Sequence, residues 1–263
     1  VSVWIAFLAG IVVSVLLALL LGIPTLRLRA DYLAIVTIAT AEIIRQIARS
    51  VTFKDYLGGS DGITGKFGAD FYALNPFPNG LDTPILRFTP QDLWVVIVGW
   101  ALVVIFSLFT FLIMRSPWGR VVKGIREDED AVRALGKNVF AYKMQALIIG
   151  GVFGALGGIV LATSTNVSPG VYVTSLTFFL WTALLLGGAA TIFGPVLGSI
   201  IFWVLQAFLT NVLPALAESG ILPVSGIQAA TLRYVLVGIG LMLIVIYRPQ
   251  GIFGDKREMT FVK

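Results

Sequence analysis

A glycine-rich run, Gly58-Gly59-Ser60-Asp61-Gly62, has the G-x-S-x-G spacing with which hydrolases expose a nucleophilic serine on a tight strand-to-helix turn. Such a serine needs a base beside it, and the chain contains no histidine and no cysteine. Ser-His and Cys-His nucleophile pairs, disulfides and Cys/His zinc sites are therefore excluded together. Just beyond, Gly65-Lys66 closes a stretch that approaches a phosphate-binding loop, but Ser60 stands at its first glycine position and Phe67 replaces the metal-binding hydroxyl. The chain is expected to be no enzyme and to hold no nucleotide, metal or other cofactor. Gly58, Gly59, Ser60, Asp61 and Gly62 then read in one of two ways: a tight reversal packed on helix ends, or part of an outer mouth or docking surface.

The elements that carry these residues are set by composition. Of the 263 residues, 57% are hydrophobic and 13% charged, and the mean hydropathy is +0.93. Soluble chains carry about 25% charged residues, because their surface must be solvated. The expectation is an all-α, polytopic transmembrane helical bundle. A crossing helix needs about 20 apolar residues. Candidates are Val3 to Gly22, Tyr32 to Ala48, Leu93 to Met114, Met144 to Thr163, Leu176 to Ile192, Pro195 to Val212 and Leu232 to Tyr247. That makes about seven spans, the fifth and sixth joined by a tight Phe193-Gly194-Pro195 turn, so that one of them could be a re-entrant half-helix. The first has no basic flank and reads as a span rather than a signal peptide. The chain opens on Val1 rather than Met, and residues are expected to precede it.

Basic residues orient the bundle. Arg115, Arg120, Lys123, Arg126, Arg133, Lys137 and Lys143 lie between two spans, Arg248, Lys256, Arg257 and Lys263 in the tail, and Arg27 and Arg29 in the first connection. These define the cytoplasmic side. Arg49, Lys54, Lys66 and Arg87 fall outside, with Arg233 at a membrane edge. One transmembrane domain, residues 1–263, is expected, with an external loop at 49–92, a cytoplasmic loop at 115–143 and a cytoplasmic tail at 248–263. The net charge of +5 thus reflects topology and implies lipid, not nucleic acid. Between Met144 and Ala217 there is no Asp, Glu, Lys or Arg. Within this block Gly150, Gly154 and Gly158, and Gly194 and Gly198, recur at the four-residue spacing that lets helices approach closely; lining a substrate path is the other reading.

The cytoplasmic loop is helical in pattern. Ile125, Val132 and Leu135 can share an apolar side, Glu127 to Asp130 load one end with negative charge, and Gly136 reads as the stop. Within it, Asp130-Ala131-Val132, three residues and Gly136 resemble the E-A-A-x-x-x-G coupling motif of ABC importer permeases, with Asp for Glu and Val for Ala. Gly119-Arg120, Ile125 to Ala131 and Leu135-Gly136 are similar to LivM-type branched-chain amino-acid permeases. So are the opening Arg29 to Thr37, the run Gly58 to Gly65 and the terminal Tyr247-Arg248-Pro249-Gln250-Gly251-Ile252-Phe253-Gly254.

The resemblance implies a permease subunit of an ATP-binding-cassette importer in a bacterial inner membrane. Its partners would be a second permease subunit, a paralogue; two cytoplasmic ATPases holding ATP and Mg; and an extracytoplasmic substrate-binding protein. Gly119, Arg120, Arg126, Glu127, Asp130, Ala131, Val132 and Gly136 would form the ATPase-coupling loop. The substrate would be a branched-chain or other neutral amino acid, with urea or a short amide as the alternative. An ion-coupled secondary transporter is the reading from another class, but such proteins place acids near the midplane, where this chain has a charge-free block. Glu42 is the only acid well inside a predicted span, with Arg45 three residues on. The two form either a structural pair or, with the Thr37 and Thr40 hydroxyls, a contact for a zwitterion in the substrate pathway.

Overall fold

The computed structural model describes residues 3–26, 30–63, 69–82, 87–164, 167–219, 225–248 and 250–254. The charges expected to set topology at Arg27, Arg29, Lys66, Lys256, Arg257 and Lys263, and the residues Thr64, Gly65 and Pro249, lie outside them. The described residues are overwhelmingly helical and belong to two compact units, Val1–Thr174 and Ser175–Lys263. Five helices among them are long and apolar enough to cross a membrane.

In the first unit, α1 (Val3–Thr25) and α2 (Ala30–Arg49) are followed by a segment, called the outer segment after the topology expected from the sequence, that contains α3 (Lys54–Leu57) and α4 (Ala69–Ala73). A minimal antiparallel hairpin comes next, β1 (Leu81–Asp82) on β2 (Arg87–Phe88). Then follow α5 (Pro90–Arg115), α6 (Pro117–Glu127), α7 (Glu129–Ala134) and α8 (Val139–Ser164). Thr89 caps α5 by accepting from Asp92 N, and Pro90 opens it where no backbone donor is needed. The 20-residue α2 carries Glu42, Arg45 and Arg49 and is not among the five apolar helices.

Glycines set the α1–α8 approach. A Cβ on Gly22 would lie 2.8 Å from Met144 Cε, one on Gly10 2.8 Å from Ile159 Cδ1, and one on Gly151 3.1 Å from Ser14 Oγ. The two helices therefore run antiparallel in close contact. Gly150, Gly154 and Gly158 do not share this role, because a Cβ on any of them would meet nothing within 4 Å. Gly151, one residue off the expected stripe, faces α1 instead. A cavity of ≈ 590 Å³ lies among α1, α2 and α8, with Thr37 on its wall.

In the second unit, α9 (Thr174–Gly187) continues from the end of the first and is 14 residues long. It leads to α10 (Gly194–Glu218) and α11 (Gly226–Tyr247). Here the four-residue glycine spacing does serve packing, since a Cβ on Gly198 would sit 2.2 Å from Ala183 O. Ala183, Leu186 and Phe202 form the core, flanked by Phe179, Val237 and Ile244. Ser225 and Gln228 close a reciprocal capping box at the start of α11. After α11 the chain folds back onto the end of α9. Ile252 N donates to Leu186 O (2.9 Å) and Phe253 N to Gly187 O (3.2 Å), satisfying carbonyls that a helix end leaves open.

Candidate functional site

The loop between α5 and α8 begins at a sharp turn. Ser116 ends α5 and caps α6, its Oγ accepting from Gly119 N, and Pro117 takes the first helical position. A Cβ on Gly119 would fall 2.4 Å from Met114 O, so this buried glycine serves the turn and is no contact surface. The expected single helix is two helices, because Asp128 adopts an extended conformation (φ −151°, ψ 103°) and ends α6. The same residue starts α7: its carboxylate accepts from Ala131 N at 2.9 Å. Such a cap is worth about 1 kcal/mol. Glu129 and Asp130 fill the first turn of α7, where the helix dipole favours negative charge.

Val132 is 9% exposed and Leu135 79% exposed. The two do not share a buried side as the sequence pattern suggested, because Leu135 is the C-cap of α7, past its last turn, and the break at Asp128 separates both from Ile125 on α6. Val132 packs on α6, where a Cβ on Gly124 would come within 3.0 Å of its Cγ2. Gly136 ends α7 at φ +75°. Gly136 N donates to Arg133 O (3.0 Å) and Lys137 N to Val132 O (3.4 Å), the paired bonds of a Schellman stop.

The loop is fastened to α8 at two points. Lys143 Nζ on α8 forms an ion pair with Glu129 Oε2 on α7. Trp118 Nε1 on α6 donates to Gln145 Oε1 on α8 at 2.7 Å. Arg133 bridges Glu129 (2.9 Å) and Asp130 (3.0 Å). What α7 turns outward is Asp130, Ala131, Ala134 and Leu135, a short face with one carboxylate and one large apolar side chain. Arg120, Arg126 and Glu127 are exposed on α6. Sequence reasoning does not count Trp118, Asp128, Glu129, Lys143 or Leu135 among the site residues, although it reads Asp128 and Glu129 as part of a negative helix end, Lys143 as a basic residue of the loop and Leu135 as part of an apolar side. The Ser116-Pro117 pair and the Asp128-x-x-Ala131 spacing were the available signals for the two caps.

The candidate pathway residues separate into two groups. On α2, Glu42 receives Arg45 Nε at 2.8 Å, Gln46 Nε2 at 2.7 Å and Thr174 Oγ1 at 3.3 Å. Its carboxylate is fully engaged and ties α2 to the first residue of α9. Thr37 donates back to Leu33 O (2.9 Å) and Thr40 to Val36 O (2.8 Å), so each hydroxyl proton is spent within its own helix.

Gly58, Gly59, Ser60, Asp61 and Gly62 lie elsewhere, in the outer segment. Gly62 has φ +76°, and a Cβ there would collide with Val167 O at 2.3 Å. Ile63 N donates to that carbonyl at 2.9 Å, which pins the outer segment to the residues after α8. Asp61 pairs with Lys54 at 3.3 Å, and Ser60 is exposed. Nearby, Tyr72 donates to Thr163 O (2.7 Å) and Trp94 Nε1 to Phe71 O (2.9 Å). Burial, aided by the Asp92 charge, pushes the Tyr72 phenol above its ordinary value, so it remains a neutral donor. The glycine-rich run thus forms a reversal held on the outer end of α8, with Ser60 and Asp61 on its open side. Among the described residues no group of acids could hold a metal ion.

The whole of residues 1–247 matches the family described as branched-chain amino acid transport system / permease component. The high-affinity branched-chain amino acid transport system permease protein LivM of Salmonella typhimurium is 30% identical, over 97% of this chain and 58% of that protein. The protein of the same name from Escherichia coli is 31% identical over 93% of this chain and 56% of its own length. The probable branched-chain amino acid transport permease protein LivM of Methanocaldococcus jannaschii is 27% identical, over 95% and 70% respectively. The chain therefore spans little more than half the length of the two first relatives. No solved structure matches.

Proposed function

Because this chain belongs to the family of branched-chain amino acid transport system permease components, we propose that it is one permease subunit of an ATP-driven importer of branched-chain or other neutral amino acids in a bacterial cytoplasmic membrane. It hydrolyses nothing itself. Two cytoplasmic ATPases supply ATP, Mg and the power stroke, a paralogous permease completes the path, and an external binding protein delivers substrate. Both compact units act as one permease domain.

The observation that carries this reading is the fastening of α7. A coupling element must be stiff, since a flexible loop absorbs the displacement it should pass on. Here α7 is capped at one end by Asp128, stopped at the other by Gly136 and paired through Glu129 to Lys143 on the spanning helix α8. Its outward face, with Asp130 and Leu135, is the surface offered to an ATPase groove. Arg120, Arg126 and Glu127 on α6 flank that surface. Closure of the ATPases on ATP would move α7, and α8 with it.

Seven crossings fit the same picture. The end of α1 lies beside Met144 at the start of α8, and the segment following α2 bonds to Val167 beyond its other end. That supports α2 as a crossing despite its charges, with Glu42 and Arg45 neutralising one another. The 14 residues of α9 measure about 21 Å, the length of a half-helix in a core about 30 Å thick.

Purification of the intact complex in mild detergent tests the proposal. An ATPase and a second permease should co-elute, and proteoliposomes of the complex with its binding protein should accumulate leucine only with ATP. Elution of the chain alone, under conditions that keep other ABC complexes whole, contradicts it.

A further inference from the structure

Arg233 is the single charged residue of α11, a helix long and apolar enough to cross a membrane, and lies about 10 Å from the helix start. Intramembrane charges are ordinarily paired with an opposite one. No described acid forms an ion pair with Arg233. Its neighbours are neutral: Nη1 donates to Thr210 Oγ1 (2.6 Å), Nη2 donates to Tyr234 Oη (2.8 Å), and the guanidinium lies 4.8 Å from the Tyr234 ring centre. Its Nε–H is buried and has no acceptor.

Its partner on α10 is Thr210, and Phe202, Gln206 and Leu213 stand with Thr210 at the spacing of one face of that helix. Gln206 is 7% exposed and its Oε1 has no donor. Among the described residues, Gln206 Oε1 and Arg233 Nε are the two buried side-chain atoms left without a partner. Thr210 stands between the two residues in the chain contacts: its hydroxyl accepts from Arg233 Nη1 and donates to the backbone carbonyl of Gln206, one turn before it on α10, at 2.6 Å. Buried polar atoms are rarely left unpaired without a reason. Here a donor on a cation and, one turn along α10 from the residue that cation bonds, a neutral acceptor both remain open.

We propose that Arg233 and Gln206 bind the charged ends of a zwitterionic amino acid during passage, Arg233 donating to the carboxylate and Gln206 Oε1 accepting from the ammonium. The apolar side chains of Phe179, Phe202 and Val237 beside them suit an aliphatic substituent. Both open atoms are covered in this arrangement, so the ligand reaches them when α10 and α11 part. Pro214 gives α10 a weak point there: it lacks the N–H that would bind the Thr210 carbonyl, one turn before. This assignment deepens the amino-acid reading above and rests on it.

The test is ATP-dependent leucine uptake by the complete transporter in proteoliposomes, with Arg233→Met, Arg233→Lys and Gln206→Leu. We expect Arg233→Met to lower uptake about tenfold or more, as for loss of a charge-assisted hydrogen bond. Arg233→Lys should recover part of it, and Gln206→Leu should lower uptake severalfold. Assembly with the ATPases, read by gel filtration, should survive. Should Arg233→Met fail to assemble, the other two variants decide. Uptake within twofold of the parent in Arg233→Met, or in both other variants, overturns the proposal. So does loss of a bound phospholipid from the Arg233→Met complex in native mass spectrometry, which would assign the cation to a lipid phosphate. A parent complex that moves urea or acetamide but no leucine overturns the amino-acid reading itself, and this site with it.

Discussion

Lys143, one turn into the spanning helix α8, forms an ion pair with Glu129 in the first turn of α7. The pair joins the first turn of the short helix α7 to one of the five helices long and apolar enough to cross a membrane. Each partner is roughly one-third exposed (31% and 37%), and at that exposure an ion pair contributes at most about 1 kcal/mol. Its weight is therefore mechanical more than thermodynamic.

Lys143→Ala should leave the complex assembled but lower the leucine transported per ATP hydrolysed severalfold. The double exchange Lys143→Glu with Glu129→Lys should recover part of the loss. Parallel uptake and phosphate-release assays on the same proteoliposomes check this, and an unchanged ratio in Lys143→Ala would remove the pair from the coupling path.

Gly136 occupies the left-handed region at φ +75°, which costs a residue with a Cβ roughly 1–2 kcal/mol. Nothing else stands within 4 Å of a Cβ there, so the penalty is one of backbone and not of space. Gly136→Val should loosen the end of α7 and uncouple hydrolysis from uptake. Gly136→Asn should behave nearly as the parent, because asparagine tolerates this conformation. Equal uptake in both variants would count against α7 as the coupling element.

Asp128 both ends α6 and caps α7. Asp128→Ala should cost about 1 kcal/mol of local stability, and Asp128→Ser should restore most of it. Amide exchange over residues 129–136 is the readout. Faster exchange in the alanine variant alone is expected; none would mean that the cap does not hold the helix.

At the outer side, Gly62→Ala would place a Cβ 2.3 Å from Val167 O in a backbone region that favours glycine. It should lower the thermal midpoint of the purified complex by several degrees, whereas Ser60→Ala, on the exposed side of the same run, should leave it unchanged. A Gly62→Ala variant as stable as the parent would show that the clasp to Val167 is dispensable.

The membrane character and the helical pattern of residues 115–143 were legible because both are written in local charge. A long charge-free block and a cluster of basic residues need no tertiary information. The Glu42–Arg45 pair was equally local, three residues apart on one helix. The break at Asp128 was not legible, since an acidic run reads alike as one helix or as the cap of a second. The stripe of Gly150, Gly154 and Gly158 misled for a different reason: spacing fixes a helix face without saying what stands opposite. Thr174 beside Glu42 and Thr210 beside Arg233 depend on chain segments far apart in sequence, and only the folded chain brings them together.

The absence of native cysteine makes the central claim directly measurable. A single cysteine introduced as Leu135→Cys, labelled with a thiol-reactive photocrosslinker in the assembled complex, should form an adduct with the ATPase whose yield changes when ATP binds. A control at Ser60→Cys should give none. No ATPase adduct from position 135 in a complex that still transports leucine, or equal adducts from both positions, would contradict the account of α7 as the link to the motor.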